Sequence, residues 1–238
     1  GGAPDVGNSL YAIEKLVFEE KKVSFDELMH ILQQNWEGYE PLRQYVKNSY
    51  SYYGNDNDEA DRYTARVLDD FAALVEPLKG RCPIRFPAGV STFGRQIEWA
   101  PARAATPFGS KRGEILSGNT SPTPGTDAAG ATAVIRSYCK ADLKKQANGA
   151  ALDVKLYPGT VEGENGVAAL VALMQGFVRL GGCFMQLDIM DAEVLRQAQE
   201  HPEQFKTLSV RVSGWNARFV TLDREWQQMI IERSSQKV

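Results

Sequence analysis

The sequence predicts an α/β fold in its second half, preceded by a helical region. Over residues 1–80, apolar residues recur with the spacing of amphipathic helices. Residues 81–131 are rich in Gly, Pro, Ser and Thr and lack helical periodicity. From residue 132 to 238, strand-like and helix-like segments alternate. We therefore divide the chain into a helical region (1–80), an irregular loop region (81–131) and an α/β region (132–238).

Composition indicates a soluble globular protein. Of the 238 residues, 43% are hydrophobic and 24% are charged. The net charge of −3 gives no reason to expect binding to nucleic acid or to an anionic membrane. Three cysteines without metal-type spacing favour reduced thiols in the cytoplasm. The chain does not begin with Met and carries no signal-peptide pattern, so we expect a piece of a longer cytoplasmic protein.

The helical region predicts three helices. The first covers "NSLYAIEKLVFEEKK", and its apolar face is predicted to hold Leu10, Ile13, Val17 and Phe18. The second begins after Ser24, which can form a capping box with Glu27. The buried stripe predicted for it comprises Phe25, Leu28, Ile31 and Leu32. The third follows "YGNDNDEAD" and ends before Pro77 and Gly80.

An acidic cluster begins the third helix. Its members are Asp56, Asp58, Glu59 and Asp61. They could bind a cation, but helix capping and the preference of acids for a helix N-terminus explain them better. We expect no metal site there.

The irregular region is expected to be ordered. Disordered segments are poor in large apolar residues. This region carries Phe86, Phe93, Ile97, Trp99, Ile115 and Leu116. An irregular stretch of this length in a compact protein is usually functional or disordered, so order favours a functional role.

The α/β region begins with a helix that ends near Lys140 and a short strand, "ALDVKLYP". An apolar helix, "GVAALVALMQGFVRLGG", follows and ends at its paired glycines. The segment "CFMQLDIM" is predicted to be a buried strand, and the next helix is capped by Asp191. In "LSVRVS", Leu208, Val210 and Val212 share one face. The strand–helix–strand order predicts a parallel pair with a right-handed crossover, and a last helix begins near Asp223.

Gly214 ends the strand "LSVRVS", at the edge where α/β proteins gather functional groups. Glycine permits a positive φ and close approach of another group to the backbone. For an isolated glycine at a strand end, a turn would be the usual explanation. The surrounding residues favour a more specific one.

The stretch "RVSGWNA" resembles the activation motif of the glycyl radical enzymes: Arg-Val-Ser-Gly, an aromatic residue, a variable residue, then Ala or Val. Trp215 stands where tyrosine is usual, which keeps the ring and loses the hydroxyl. The resemblance implies that Gly214 loses a hydrogen atom from Cα and stores the unpaired electron. A planar Cα delocalises that electron over the flanking amides, and a side chain would oppose the planarity.

The resemblance extends along nearly the whole chain. It includes "ATPFGSKRGEILSGNTSPTPGTDAAGATAVIRS" and the stretch from "LYPGTVEGENG" to "RFV". It implies the C-terminal part of a ten-stranded α/β barrel of the glycyl radical enzyme type, closer to the dehydratase-like branch than to pyruvate formate-lyase. Residues 1–80 would be helical parts of the pyruvate formate-lyase-like domain, and residues 132–238 the glycine radical domain.

The family's chemistry implies partners that this sequence lacks. The glycyl radical generates a thiyl radical on a cysteine in a separate loop, and the thiyl takes hydrogen from the substrate. That loop is absent here, so it must come from the rest of the enzyme chain. No cofactor is expected to bind; an activating enzyme with S-adenosylmethionine and an iron–sulfur cluster installs the radical. Its expected recognition residues are Arg211, Ser213 and Trp215, and the full enzyme is expected to be an oxygen-sensitive, anaerobic homodimer.

Several alternatives stay open. The reaction could be that of a lyase or dehydratase on a small polar substrate, or formate acetyltransferase activity. The chain could also be a non-catalytic radical carrier that repairs a damaged enzyme. The substrate could be a diol, choline, a sulfonate, an arylacetate or pyruvate.

Other residue types that often carry chemistry are expected to be structural. Cys82, Cys139 and Cys183 are expected to be small buried residues, not thiyl sites. His30 and His201 are expected on the surface or as satisfied core residues. "PTPGTDAAG" lacks the lysine and context of a P-loop, and Arg112 is expected to be a solvated loop residue.

Overall fold

The computed structural model describes residues 2–78, 80, 84–92, 94–212 and 215–234, with side chains described up to residue 231. The elements of the helical and loop regions are α1 (Ala3–Ile13) with a π-helical continuation (Glu14–Glu19), α2 (Phe25–Gln33), α3 (Glu40–Ser49), α4 (Asp58–Val75) and α5 (Gln96–Trp99). The elements of the α/β region are α6 (Ala131–Tyr138), β1 (Ala151–Leu156), α7 (Gly163–Arg179), β2 (Phe184–Ile189), α8 (Ala192–Glu200), β3 (Ser209–Arg211), β4 (Asn216–Arg218) and α9 (Arg224–Ser234).

Helix α1 packs against α4, and the two come close because Gly7 has no side chain. A Cβ at this position would overlap the side chain and backbone of Thr64. The helix turns Tyr11, Ala12 and Leu16 into the core, while the predicted face residues Leu10 and Phe18 are exposed. The predicted face was therefore wrong at Leu10 and Phe18, whereas Ile13 and Val17 are partly buried against the core as expected. The π-helical turns after Ile13 shift the register of later residues, which a uniform 3.6-residue repeat does not anticipate.

Helix α2 begins as predicted, with a capping box. The Ser24 hydroxyl accepts from the backbone N–H of Glu27, and the Glu27 carboxylate accepts from the backbone N–H of Ser24. Leu28 and Ile31 are buried in the helical core, but Phe25 is exposed. Phe25 is the first residue of the helix, and helical side chains lean toward the N-terminus, so it projects beyond the packed turns.

The loop region is packed onto the helices through buried polar contacts. The Asp5 carboxylate of α1 accepts from the Ser117 backbone N–H at 3.0 Å, the Ser117 hydroxyl at 2.6 Å and the Thr123 hydroxyl at 2.7 Å. Nearby, Leu116 and Phe108 join the helical core. Order in this region thus comes from hydrogen bonds across more than a hundred residues of sequence as well as from apolar burial.

Strands β1 and β2 form the parallel pair that the strand–helix–strand order predicts, with α7 between them. The register runs from Ala151 opposite Phe184 to Leu156 opposite Ile189. Val90 makes a parallel bridge to Ala150, so the segment around Val90 runs beside the start of β1. The carboxyl ends of β1 and β2 therefore meet at one edge.

Strand β2 is less buried than "CFMQLDIM" suggested. Phe184 and Ile189 are exposed, and the buried side chain of the strand is the polar Gln186. Among the described strands, β2 pairs with β1 and with no other, so no described strand covers its far edge. The apolar pattern alone could not distinguish an interior strand from such an edge.

The strand "LSVRVS" does not extend the parallel sheet. Its described part, β3, pairs antiparallel with β4, with Arg211 opposite Asn216. The extension of the parallel arrangement to this strand was therefore wrong. A local hairpin needs little loop closure and pairs the strand with its sequence neighbour. The alternation within the strand was right, since Val210 and Val212 are buried while Ser209 and Arg211 face outward.

The hairpin is anchored on α8 and α9. Helix α8 begins as predicted, because the Asp191 side chain accepts from the Glu193 backbone N–H. The apolar cluster beneath the hairpin comprises Leu195, Ala198, Val210, Val212, Phe219, Met229, Ile230 and Ile231. None of the helices within the described ranges is long and apolar enough to cross a membrane.

Candidate functional site

The candidate site is the hairpin β3–β4, whose connection contains the two central residues of the motif. Positions 213 and 214 lie outside the described residues, so Ser213 and Gly214 stay predictions from the sequence. The residues on either side are described. The Val212 backbone N–H donates to the Trp215 carbonyl oxygen at 2.9 Å.

Arg211 uses its guanidinium to tie the hairpin to β2. Its Nε donates to Gln186 Oε1 at 3.2 Å, and its Nη1 donates to Asn216 Oδ1 at 3.3 Å. The first contact crosses from the hairpin to the parallel pair, and the second crosses the hairpin itself. Arg211, predicted to recognise a partner, is thus also engaged within the chain.

Trp215 stands beside the candidate radical position and is open to solvent. Its residue surface is 47% exposed. Its ring meets Trp226 of α9 edge-on, with centroids 6.4 Å apart and planes at 61°. Edge-to-face geometry is favourable for aromatic pairs, so α9 orients this ring while one face stays accessible.

Polar side chains of β1 and β2 lie next to the hairpin, from the middle of β2 to the carboxyl ends of both strands. Gln186 Nε2 donates to Asp188 Oδ1 at 3.0 Å. Asp188 and Lys155 both line a cleft of about 300 Å³ whose other wall includes Arg211 and Asn216. A hydrogen-bonded path therefore runs from the hairpin through Gln186 to Asp188.

A second cleft, of about 120 Å³, adjoins the first and shares Lys155, Asp188 and Met190 with it. Asp127, from the loop before α6, lines this second cleft. Burial raises the pKa of Asp127 to about 6, against the lowering effect of a backbone hydrogen bond and of the Lys155 charge. The clefts thus combine carboxylates with one ammonium group.

The two described cysteines, Cys139 and Cys183, differ in burial. Burial raises the pKa of Cys139 to about 11, so its thiol stays protonated at neutral pH. Cys183 is exposed, which contradicts the expectation of a buried residue. It directly precedes β2, where the next residue, Phe184, is also exposed. Cys82 lies outside the described residues.

The acidic cluster at the start of α4 is neutralised by basic residues of and just after α6. Lys140 lies within 3.0 Å of carboxylate oxygens of Asp56, Asp58 and Asp61, and Arg136 pairs with Asp56 at 2.8 Å. The N-cap itself is Asn57, an amide rather than an acid. Across the described ranges, no group of His, Cys, Asp and Glu side chains could hold a metal ion.

The remaining candidates lie where the sequence placed them. His30 and His201 are exposed, and His201 Nδ1 lies 4.0 Å from a Glu203 carboxylate oxygen. Arg112 is exposed, and its backbone N–H donates to Asn35 Oδ1. These positions agree with structural or solvated roles.

Reasoning from the sequence missed Gln186, Asp188, Asp127 and Lys155. A signal was present in "CFMQLDIM", since Gln186 and Asp188 alternate and must share one face of the strand. The apolar residues around them hid that polar face. Asp127 carried no comparable signal, because its cleft forms only when the loop meets the strand ends.

Comparison with known protein families gives two matches. A family model described as glycine radical matches residues 116–220. A second, described as pyruvate formate lyase-like, matches residues 1–98. The hairpin and both clefts fall largely within the first match.

Similar proteins and structures agree with those matches. A probable dehydratase, YbiW, from Escherichia coli is 35% identical over 98% of this chain and 30% of its own length. Trans-4-hydroxy-L-proline dehydratase from Clostridioides difficile is 33% identical over 99% of this chain and 30% of its own. The B12-independent glycerol dehydratase from Clostridium butyricum superposes with a TM-score of 0.92, at 30% identity, over 97% of this chain and 29% of its own. A glycyl radical enzyme from Archaeoglobus fulgidus superposes at 0.91, at 36% identity, over 100% and 30%. The chain spans about 30% of the length of these relatives.

Proposed function

The chain belongs to the glycyl radical enzyme family, and on that premise we propose that it is the radical-storing part of an anaerobic dehydratase or lyase. Gly214 is the proposed radical position. The complete enzyme would act on a small polar substrate through a thiyl radical on a cysteine outside this sequence. We also propose that the chain divides into three regions at residues 80 and 131, and that the complete enzyme is cytoplasmic.

One observation carries the proposal. The motif Arg-Val-Ser-Gly-Trp begins at the last residue of β3 and ends just before β4, inside the segment that the glycine radical model matches. Arg211 and Trp215, on either side of the two central motif residues, are exposed, which suits a position that an external protein must reach. The exposed ring of Trp215 supports such access.

The proposed chemistry consists of balanced hydrogen-atom transfers. The activating enzyme takes one hydrogen atom from Gly214 Cα and leaves one unpaired electron there. The glycyl radical then takes a hydrogen atom from the cysteine thiol, which restores the Cα–H bond and leaves a thiyl radical. The thiyl takes a hydrogen atom from a substrate C–H bond, and the substrate radical expels its leaving group. Return of a hydrogen atom from the thiol to the product radical closes the cycle.

The proposed partners follow from this chemistry. S-adenosylmethionine and an iron–sulfur cluster, held by the activating enzyme, supply the radical chemistry of the first step. Arg211, Ser213 and Trp215 are the proposed recognition residues. The rest of the enzyme chain would supply the cysteine loop, and the complete enzyme is proposed to be a homodimer.

The relatives favour this proposal over the alternatives. The similar proteins include dehydratases, sulfite-lyases and, at lower identity, an indoleacetate decarboxylase. A carrier that consists of a radical domain alone would not need residues 1–98, which the pyruvate formate lyase-like model matches. Cleavage of a carbon–oxygen or carbon–sulfur bond is therefore the chemistry we favour.

The test uses the complete enzyme that contains these residues, its activating enzyme and strictly anaerobic conditions. Electron paramagnetic resonance should show a doublet from the single remaining α-hydrogen. The doublet should collapse when glycine deuterated at Cα is incorporated. Gly214→Ala should show no such signal, while Gly176→Ala, a helical glycine whose added Cβ meets nothing within 4 Å, should keep it. Absence of the doublet in the wild type with a competent activator would refute the proposal.

Air exposure should cleave the activated chain at Gly214 and leave Gly214→Ala intact.

A further inference from the structure

We propose that Gln186 is a positioning residue that holds the hairpin β3–β4 against the β1–β2 pair through Arg211, and so limits how readily the hairpin reaches the activating enzyme. This inference rests on the proposed function. It assigns a role to a strand residue far from the motif in sequence. Gln186 would control access to the radical position without touching the reacting atoms.

The position of Gln186 suits a fixed contact. It lies in the middle of β2, opposite Asp153 of β1, and is 8% exposed. Its amide oxygen accepts from Arg211 Nε at 3.2 Å, and its amide nitrogen donates to Asp188 Oδ1 at 3.0 Å. A guanidinium can only donate and a carboxylate can only accept, so the two neighbours leave one favourable orientation of the amide. Asp188 thus aims the amide oxygen of Gln186 at Arg211.

Arg211 joins three strands through this contact. Its Nη1 bonds to Asn216 on β4, while its Nε bonds to Gln186 on β2. Hydrogen bonds from a charged donor are stronger than those between neutral groups. The guanidinium therefore couples the two strands of the hairpin to the parallel pair at a point three residues before Gly214 in sequence.

Arg211 is also a proposed recognition residue for the activating enzyme. Presenting the hairpin to that enzyme moves Arg211 away from β2 and breaks its bond to Gln186. Gln186 then opposes the presented state of the hairpin. Removing its amide should release Arg211 and favour the presented state of the hairpin. In turnover, the same loosening should reduce product formed per radical, because the hairpin must return for Gly214 to take a hydrogen atom from the cysteine thiol.

Loss of Gln186 should not unfold the hairpin. Val210 and Val212 anchor its other face in the apolar cluster with α8 and α9. The Val212 to Trp215 backbone bond is also independent of Gln186. A change in activation would therefore report the polar contact and not general unfolding.

The variants separate the contact from its surroundings. Gln186→Leu keeps a similar volume and removes the acceptor. The double variant Gln186→Glu with Asp188→Asn restores an acceptor for Arg211 and supplies a donor from position 188. Gln199→Leu is the matched control, because it removes a glutamine side-chain bond to Gln227 at 3.3 Å between α8 and α9. Each is made in the complete enzyme.

Two measurements are made on each variant. The first is amide hydrogen exchange at Val212 and Trp215 before activation. The second is the initial rate of glycyl radical formation with limiting activating enzyme. We expect Gln186→Leu to speed both by about two- to tenfold, the range for one net hydrogen bond. The double variant should fall to wild-type rates or below, because a carboxylate binds the guanidinium at least as strongly as an amide does, and Gln199→Leu should match the wild type.

Two results would overturn the inference: wild-type exchange and activation in Gln186→Leu, or slower activation, which would make Gln186 an aid to recognition. A double variant that behaves like Gln186→Leu would also count against it. If the wild type forms no radical with a competent activator, the proposed function fails. Hydrogen exchange needs no radical, so it would still decide whether Gln186 holds the hairpin.

Discussion

Replacing Lys140 by Met should destabilise the protein mainly because the buried carboxylate of Asp61 loses its cationic partner. Lys140 Nζ lies 2.8 Å from Asp61, 3.0 Å from Asp56 and 2.6 Å from Asp58. The Asp61 side chain is fully buried, whereas that of Asp58 is 93% exposed. The three ion pairs therefore differ greatly in what their loss should cost.

The magnitude follows from burial. Removing one partner of a buried ion pair costs about 3–5 kcal/mol. Asp61 also accepts from the Ser137 hydroxyl at 2.8 Å, and this hydrogen bond remains in the variant. The Lys140 side chain is 26% exposed, so solvent already weakens its attraction to Asp61 in the wild type. We expect Lys140→Met to lower the free energy of unfolding by about 2–3 kcal/mol at pH 7. The matched Asp58→Asn variant, which breaks an exposed pair, should cost much less than Lys140→Met.

The penalty should depend on pH in a defined direction. Burial raises the pKa of Asp61, and hydrogen bonds from Lys140 and Ser137 oppose that rise. Without Lys140 the pKa of Asp61 rises further, so the folded state binds its proton more tightly than the unfolded state does. A raised carboxyl pKa makes stability fall as pH rises from about 3.9, the ordinary aspartate value, through the folded pKa. The cost of Lys140→Met should thus be largest at pH 7 and smaller at pH 5.

Urea unfolding at pH 7 and pH 5, followed by tryptophan fluorescence, measures these free energies. The buried Trp36 reports on the helical core. The reasoning is refuted if Lys140→Met costs no more than Asp58→Asn at pH 7. It is equally refuted if the penalty of Lys140→Met grows on acidification.

Two further predictions concern close packing and thiol reactivity. Gly7→Ala should lower the free energy of unfolding by about 1–3 kcal/mol, because its Cβ would overlap Thr64. Gly176→Ala, with nothing within 4 Å of the added Cβ, should raise the free energy of unfolding by up to about 1 kcal/mol, as measured by urea unfolding. Equal changes in the free energy of unfolding for the two variants would contradict the close packing at Gly7. Labelling with a thiol reagent at pH 8 should modify the exposed Cys183 and spare Cys139, whose pKa is about 11 and whose thiolate fraction is about one in a thousand. Peptide mapping that finds Cys139 labelled first would contradict the burial of that thiol.

Local signals in the sequence predicted the ends of several helices and the pattern of β3. The capping box of Ser24 and Glu27 and the Asp191 cap formed as expected. The left-handed glycine after α7, Gly181, has φ 82°. Such signals succeed because the partners lie within four residues of one another, so the geometry of the chain brings them together in any fold that contains the element.

Predictions of burial failed where they depended on distant neighbours. Phe25 and Phe184 have the apolar character of core residues, yet both are exposed. The first lies at the open end of its helix, and the second on a strand whose outer edge no described strand covers. Periodicity identifies an apolar face, but only the packed neighbours determine whether that face is covered.

By itself, the sequence identified the family resemblance, predicted Gly214 as the radical position and placed that residue after a strand with one buried face. Those conclusions need only consecutive residues. The tertiary structure decided that this strand forms an antiparallel hairpin, that Arg211 bonds to Gln186 and that Asp61 pairs with Lys140, 79 residues away. The residues next to each partner in sequence do not indicate which distant side chain it will contact, because the same local pattern is compatible with many different partners. Folding brings them together, and burial then makes each pair specific, since an unpaired charge or amide away from water is costly.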